Sequence, residues 1–180
     1  MVSNNEGLVL WLTGLPGAGK TTLGQALARH FGELRRHAVE LLDGDELRQR
    51  FPATGFDHDA RHQHILRAAR LSAEYERSGK LVIVCMISPY AASRAGARAH
   101  CSRFVEVFVD APLEECERRD PKGLYRRARL GEIQQFTGIS DPYEPPASPE
   151  VWLKTAEMTV GECVACIADY VKRIAGDVNR

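Results

Sequence analysis

Short apolar runs that stop at a glycine or a polar residue recur along the chain, and segments of helical period lie between them. Leu8 to Thr13 (LVLWLT) is the first run and ends at Gly14. Ala38 to Leu42 stops at Asp43-Gly44-Asp45, Leu81 to Ile87 at Ser88-Pro89-Tyr90, and Phe104 to Val109 at Asp110-Ala111-Pro112. Runs of this length that are apolar at nearly every position predict strands covered on both faces. The intervening helical patterns are Lys20 to Phe31, Asp59 to Ser78, Ala91 to His100, and Pro112 to Arg119 with proline at the helix start. Glu157 to Val160 reads as one further short strand, and Gly161 to Ile174 as an amphipathic closing helix. Strands alternating with helices predict a three-layer α/β/α fold with a mostly parallel sheet, in which ligands collect at the carboxyl ends of the strands.

Length and charge narrow this picture. A chain of 180 residues fits one domain spanning 1–180, and 24 Lys plus Arg against 24 Asp plus Glu leave no overall field favouring nucleic acid or an anionic membrane. Any polyanion must therefore be bound locally. Leu81 to Ile87 is far too short to span a membrane, and the N-terminus MVSNNEG shows neither a basic leader nor an apolar signal region, so a soluble cytoplasmic protein is expected. Five scattered cysteines suit a reducing compartment. Cys163 and Cys166 form one C-x2-C with no second pair at zinc spacing, which favours apolar positions of a helix. Cationic side chains concentrate instead in Lys122 to Phe136 (KGLYRRARLGEIQQF).

The strongest chemical signal is Gly14 to Thr21, GLPGAGKT, lying between a predicted strand and a predicted helix. Glycines at Gly14, Gly17 and Gly19, with Leu15, Pro16 and Ala18 between them, let backbone amides curl around phosphate oxygens. Lys20 reaches the outer phosphates, Thr21 offers a hydroxyl to Mg2+, and Thr22 continues the helix N-terminus. The fold implied is a P-loop nucleotide-binding one. Asp43-Gly44-Asp45 reads equally as a turn with a helix cap and as a carboxylate poised to accept a proton or orient the metal. The long polar stretch of about 120–149 reads as a mobile lid that excludes water, or as a solvated helix from Leu124 to Gln135.

The segments GLPGAGKTT, LLDGDELR, ISPY, VFVDAPLEECERRDPKGLY and EIQQFTGISDPYEPP together resemble the adenylylsulfate kinase family, over about residues 7 to 175. The resemblance implies transfer of the γ-phosphoryl group of MgATP to the 3′-hydroxyl of adenosine 5′-phosphosulfate (APS). It implies that Lys20 and Thr21 hold ATP phosphates and Mg2+, that Asp43 is the base or metal-orienting carboxylate, and that Asp45 positions the acceptor. Arg48 and Arg61 match arginines that bind the phosphosulfate, and Phe56 and Phe136 an aromatic pair around the APS adenine, with core packing the competing reading of Phe136. Ile87 and Ser88 line the same pocket, Ser88 as a donor in the reaction or as a strand-end cap. The resemblance likewise implies that Lys122, followed by Gly123 and Leu124, contacts the acceptor nucleotide, and that Arg118 and Arg119 lie near the ATP base or the lid hinge.

The pattern departs from the family in the row Ala60 to Arg67, where His64 stands in place of an asparagine and Leu66 in place of an arginine; Met86 and Gln134 replace a phenylalanine and a lysine. Imidazole at His64 can still donate to a sulfate or phosphate oxygen. These changes leave the phosphate machinery whole and thin the acceptor side. The same chemistry on another nucleotide, such as a cytidine diphosphate analogue, therefore stays open, as does a nucleotide-binding regulatory domain paired with a sulfurylase. Retention of Lys20 and Asp43 disfavours the latter. A homodimer also stays open.

Overall fold

A computed structural model describes residues 7–35, 38–51 and 55–177; residues 1–6, on which most of the N-terminal expectation above falls, lie outside them. In chain order the elements are β1 (Leu8–Thr13), α1 (Lys20–Arg35), β2 (Val39–Asp43), α2 (Gly44–Arg50), α3 (His58–Arg77), β3 (Leu81–Cys85), α4 (Ala91–His100), β4 (Phe104–Asp110), α5 (Leu113–Arg119), α6 (Leu124–Arg129), β5 (Val151–Lys154) and α7 (Val160–Asp177). The five strands form one sheet in the order β2-β3-β1-β4-β5, and every pairing is parallel.

Alternation along β1 and β3 explains the three layers. Leu8, Leu10, Leu12, Leu81, Ile83 and Cys85 join one core with Leu23 and Leu27 of α1 and Ile167 and Val171 of α7. Val9, Trp11, Val82 and Val84 face the other way, into a second core with Ile65, Ala68 and Ala69 of α3 and Ala97 of α4. Successive side chains of a strand point to opposite faces, so strands apolar at both parities must be covered twice.

Parallel register also sets which residues meet at the carboxyl edge. Leu12 lies opposite Cys85, and Asp43 opposite the same cysteine, so the phosphate loop, the Asp43 turn and the Met86 to Ser88 segment leave the sheet side by side. Several boundaries differ from the sequence expectation. β3 ends at Cys85 because the chain then turns through Ser88, whose φ is 41°. The last strand is Val151–Lys154 and not Glu157 to Val160: it is an edge strand with Val151 and Leu153 buried and Trp152 and Lys154 exposed. The 157–160 stretch instead opens α7 through a reciprocal cap, in which the Thr159 amide donates to Glu162 Oε2 at 2.7 Å and the Glu162 amide to Thr159 Oγ1 at 3.3 Å. α6 stops at Arg129, well short of Gln135, beside Gly131 at φ 75°. On α7, Cys163 takes the apolar position expected of it, whereas Cys166 faces solvent. Among the described residues, no helix is long and apolar enough to cross a membrane.

α1 approaches β3 closely at Gly24, where a Cβ would lie 2.3 Å from Cys85 Sγ and 3.1 Å from Leu41 Cδ1. Gly24→Ala is expected to lower stability by about 1–3 kcal/mol through overpacking. Adding Cys85→Ala should restore much of the loss, as read by chemical denaturation; equal stability of the single variant and the parent would contradict this packing.

Candidate active site

The phosphate loop leaves β1 through Gly14, where a Cβ would lie 2.3 Å from the Val109 carbonyl oxygen, so no larger residue fits the turn. Gly17 and Gly19 adopt φ of 77° and 103°, the left-handed region that glycine enters without strain. Lys20 begins α1 and is 9% exposed; its ammonium donates to the Gly14 and Leu15 carbonyls at 2.8 and 2.7 Å. Burial pushes its pKa down to about 8, against the opposing pull of Cys85, Cys116, Asp43 and Asp45.

Next to Lys20, Thr21 donates its hydroxyl proton to Asp43 Oδ2 at 2.7 Å. Asp43 Oδ1 accepts the amide of Asp45 at 2.9 Å and so caps α2. The two readings of Asp43-Gly44-Asp45 are therefore one arrangement: the cap holds the carboxylate, and the other oxygen faces the loop hydroxyl. Asp45 in turn receives the ammonium of Lys122, tying α2 to the start of the candidate lid.

These groups open into one cleft of about 760 Å³, within the range of about 300–1,000 Å³ typical of small-molecule sites. Its lining falls into two groups. One comprises Arg119, Thr155, Met158, Val160 and Cys163, beside the loop residues Pro16 to Thr22. Thr155 donates to the Ala18 carbonyl at 2.9 Å, and Arg119 Nη2 to the Thr155 carbonyl at 3.0 Å, which fixes the back of the loop. The other group comprises Asp45, Arg48, Phe56, Arg61, His64 and Ile87 with Ser88, Lys122, Leu124 and Phe136. Arg48 stacks over the exposed Phe56 ring, its guanidinium carbon 4.6 Å from the centroid. Phe136 is buried edge-to-face against Tyr125, 5.0 Å between centroids, so it both packs in the core and walls the cleft.

Some expected residues stand apart. Gly14 and Leu15 support the loop through their carbonyls and do not line the cleft, and Gly123 sets the start of α6 with φ 65°. Arg118 does not line it either; it is exposed and bidentate to Glu115 at 2.7 and 2.8 Å, and with Arg119 it holds the Glu115 carboxyl down at about 2. The Ser88 hydroxyl accepts from Trp11 Nε1 at 3.1 Å and donates to Thr13 Oγ1 at 2.9 Å, which gives it a positioning part at the strand edge. Arg61 gives Nε to the Phe56 carbonyl just ahead of its own helix at 2.6 Å, and crosses to the segment opposite with Nη1 to Thr137 Oγ1 at 2.5 Å and Nη2 to the Gln135 carbonyl. His64 Nε2 lies 3.3 Å from the Gly44 carbonyl.

Sequence reading missed Arg94, Tyr125 and Thr155. Arg94, 4% exposed, donates to Glu106 at 2.8 Å, to the Ser88 carbonyl at 2.8 Å and to the Glu144 carbonyl at 2.7 Å, binding the irregular segment to the strand ends. Tyr125 anchors α6 to the loop by donating to the Pro16 carbonyl at 2.9 Å. An arginine buried in a chain of mostly exposed arginines carries no local signature, whereas threonine directly after a strand is a usable hint for Thr155.

A parallel sheet in this order, with the glycine-rich loop between β1 and α1 and a carboxylate at the end of β2, defines a P-loop kinase. Solved sugar kinase, gluconokinase and shikimate kinase structures share the fold at TM-scores of 0.63, 0.59 and 0.55 with 14–16% identity. The adenylylsulphate kinase family profile matches residues 6–154, and the chain belongs to that family. It is 49% identical over 172 residues to the adenylyl-sulfate kinase of Synechococcus sp. strain JA-2-3B'a(2-13), covering 94% of this chain and 97% of that one. It is 48% identical to the probable adenylyl-sulfate kinase of Pseudomonas aeruginosa, covering 98% of this chain and 81% of the other. The APS kinase CysC of Mycobacterium tuberculosis, solved in complex with AMPPNP and APS, superposes at a TM-score of 0.89 with 39% identity, covering 93% of this chain and 98% of that one.

The depressed pKa of Lys20 has a measurable consequence. A polyphosphate beside the ammonium favours its charged form, so the bound pKa lies above the free value of about 8. Apparent affinity for ATP should fall as pH rises through about 8, and binding at about pH 8.5 should take up protons, as calorimetry in buffers of differing ionisation enthalpy would show. Lys20→Met should abolish that uptake; proton release on binding would contradict it.

Proposed function

We propose that this chain transfers the γ-phosphoryl group of ATP to the 3′-hydroxyl of adenosine 5′-phosphosulfate, giving 3′-phosphoadenylylsulfate. The observation that carries the reading is the 2.7 Å contact of Thr21 with Asp43 inside a cleft that continues from the phosphate loop to the Arg48, Arg61 and Phe136 wall. Support also comes from the Mycobacterium tuberculosis enzyme, whose structure contains AMPPNP and APS.

Each group has a part in this reading. The loop amides and Lys20 hold the ATP phosphates, and Arg119, Thr155 and Met158 flank the nucleotide base. Thr21 Oγ1 and Asp43 Oδ2 are adjacent hard oxygens and fit Mg2+, which takes one or two protein ligands and completes its shell with water and phosphate. When bound, the ion neutralises charge on the transferring phosphoryl group. Asp43 orients the acceptor hydroxyl in line and takes its proton, its carboxylate held still by the α2 cap. Phe56 and Phe136 hold the acceptor adenine, Lys122 and Asp45 border it, and Arg48 supplies positive charge toward the phosphosulfate. Residues of about 120–149 act as the lid that keeps water from competing for the phosphoryl group.

The test is a separation of the two substrates. Phe136→Leu and Phe136→Ala should raise the KM for APS progressively, the latter about tenfold or more as expected for loss of base stacking, with the KM for ATP changed little. Parallel loss for both substrates in steady-state assays would contradict this assignment of the wall.

A further inference from the structure

His64 is 1% exposed yet lines the cleft on the side of Arg48, Arg61 and Phe136. Its Nε2 faces the Gly44 carbonyl at 3.3 Å, and a carbonyl only accepts, so Nε2 carries the ring proton. Its Nδ1 is buried and has no hydrogen-bond partner among the described residues. Burial, reinforced by the neighbouring Arg48 and Arg67 charges and opposed by the Gly44 contact and Asp45, pushes the imidazole pKa down to about 4. Near neutrality the ring is therefore uncharged, and its enclosed Nδ1 carries a lone pair, not a proton, on a residue that lines the cleft.

A lone pair repels the oxygens of a phosphosulfate. An unpaired buried acceptor also costs free energy that a ligand with a donor recovers. We propose that His64 is a specificity-determining residue whose Nδ1 accepts a hydrogen bond from a neutral donor of the acceptor nucleotide, a ribose hydroxyl or the 6-amino group of adenine. The inference rests on the acceptor assignment above. It reverses the polarity expected from an imidazole donating to the anion, and leaves the anion to Arg48 and Arg61. Gly44 directly follows Asp43, so the residue that fixes the His64 tautomer is joined to the carboxylate that faces the reacting hydroxyl.

Two measurements test this. In the free protein near neutral pH, the 15N shifts of the His64 ring should report a neutral imidazole protonated at Nε2, with Nδ1 moving on addition of APS; a doubly protonated ring, or a proton on Nδ1, would overturn the proposal. In kinetics, APS is compared with its 2′-deoxy analogue and with the analogue bearing hydrogen in place of the 6-amino group. The parent should prefer APS over one of them by about tenfold in kcat/KM, the arm that discriminates identifying the donor. His64→Phe should abolish that preference, and His64→Asn, whose amide retains an acceptor, should keep part of it. A merely structural role would depress all three substrates equally and leave the ratios unchanged, and that result would overturn the proposal. Failure of the acceptor assignment itself would appear differently, as absence of turnover with APS by the parent protein.

Discussion

One carboxylate holds the catalytic edge of this protein together. Asp43 accepts the Thr21 hydroxyl on one oxygen and the Asp45 amide on the other, so a single side chain ends β2, starts α2 and fixes the phosphate loop at the Thr21 hydroxyl. The arrangement depends on parallel register. Asp43 lies opposite Cys85 of β3, and Cys85 Sγ donates to the Lys20 carbonyl at 3.2 Å, so the strand ends and the first turn of α1 are level. Burial pushes the Cys85 thiol up to about 12, which keeps it an inert packing group beneath the loop. Preorganisation of this kind matters for phosphoryl transfer because positioning and charge compensation supply most of the catalysis.

Two buried arginines do for the irregular segment what hydrogen-bond ladders do for the sheet. Arg94 joins Glu106 of β4 to the Ser88 and Glu144 carbonyls, and Arg61 joins α3 to Thr137 and Gln135, with Asp141 3.7 Å away. Carbonyls that no strand can satisfy are thereby paired, and the guanidinium charges are compensated where water is scarce. The family resemblance assigns Arg61 to the substrate anion. Here its guanidinium also holds Gln135 and Thr137, the two neighbours of Phe136, so on the proposed reading acceptor binding and placement of Phe136 are linked through one residue.

How much of this the sequence discloses follows from where each signal is local. β1, the glycine loop and α1 are readable because strand, turn and helix chemistry follow one another without interruption, and the two-sided apolarity of Leu8 to Leu12 states the three-layer fold. β5 is not, because Val151 and Leu153 alternate with exposed Trp152 and Lys154 just after a proline-rich stretch, and an edge strand covered on one face lacks the continuous apolar run used to recognise the others. Asp43 is readable as both cap and carboxylate, since both depend on the same two residues. The separation of Arg119 from Arg118 is not, because Glu115 pairs with both and only the fold brings the Thr155 carbonyl and the loop within reach of Arg119. His64 shows the same limit: the substitution is plain in the row Ala60 to Arg67, but its protonation is set by the Gly44 carbonyl and by burial, which exist only in the fold.

The central claim is that both substrates occupy one cleft and that the phosphoryl group passes directly to a ribose hydroxyl oriented by Asp43. It is tested most directly by supplying ATP labelled at the γ-phosphorus, Mg2+ and APS to the purified protein and locating the label. The account predicts label on the 3′-oxygen of the APS product with little free phosphate, and its near-complete loss in Asp43→Ala. Label recovered mainly as inorganic phosphate, or on another nucleotide in preference to APS, would contradict it.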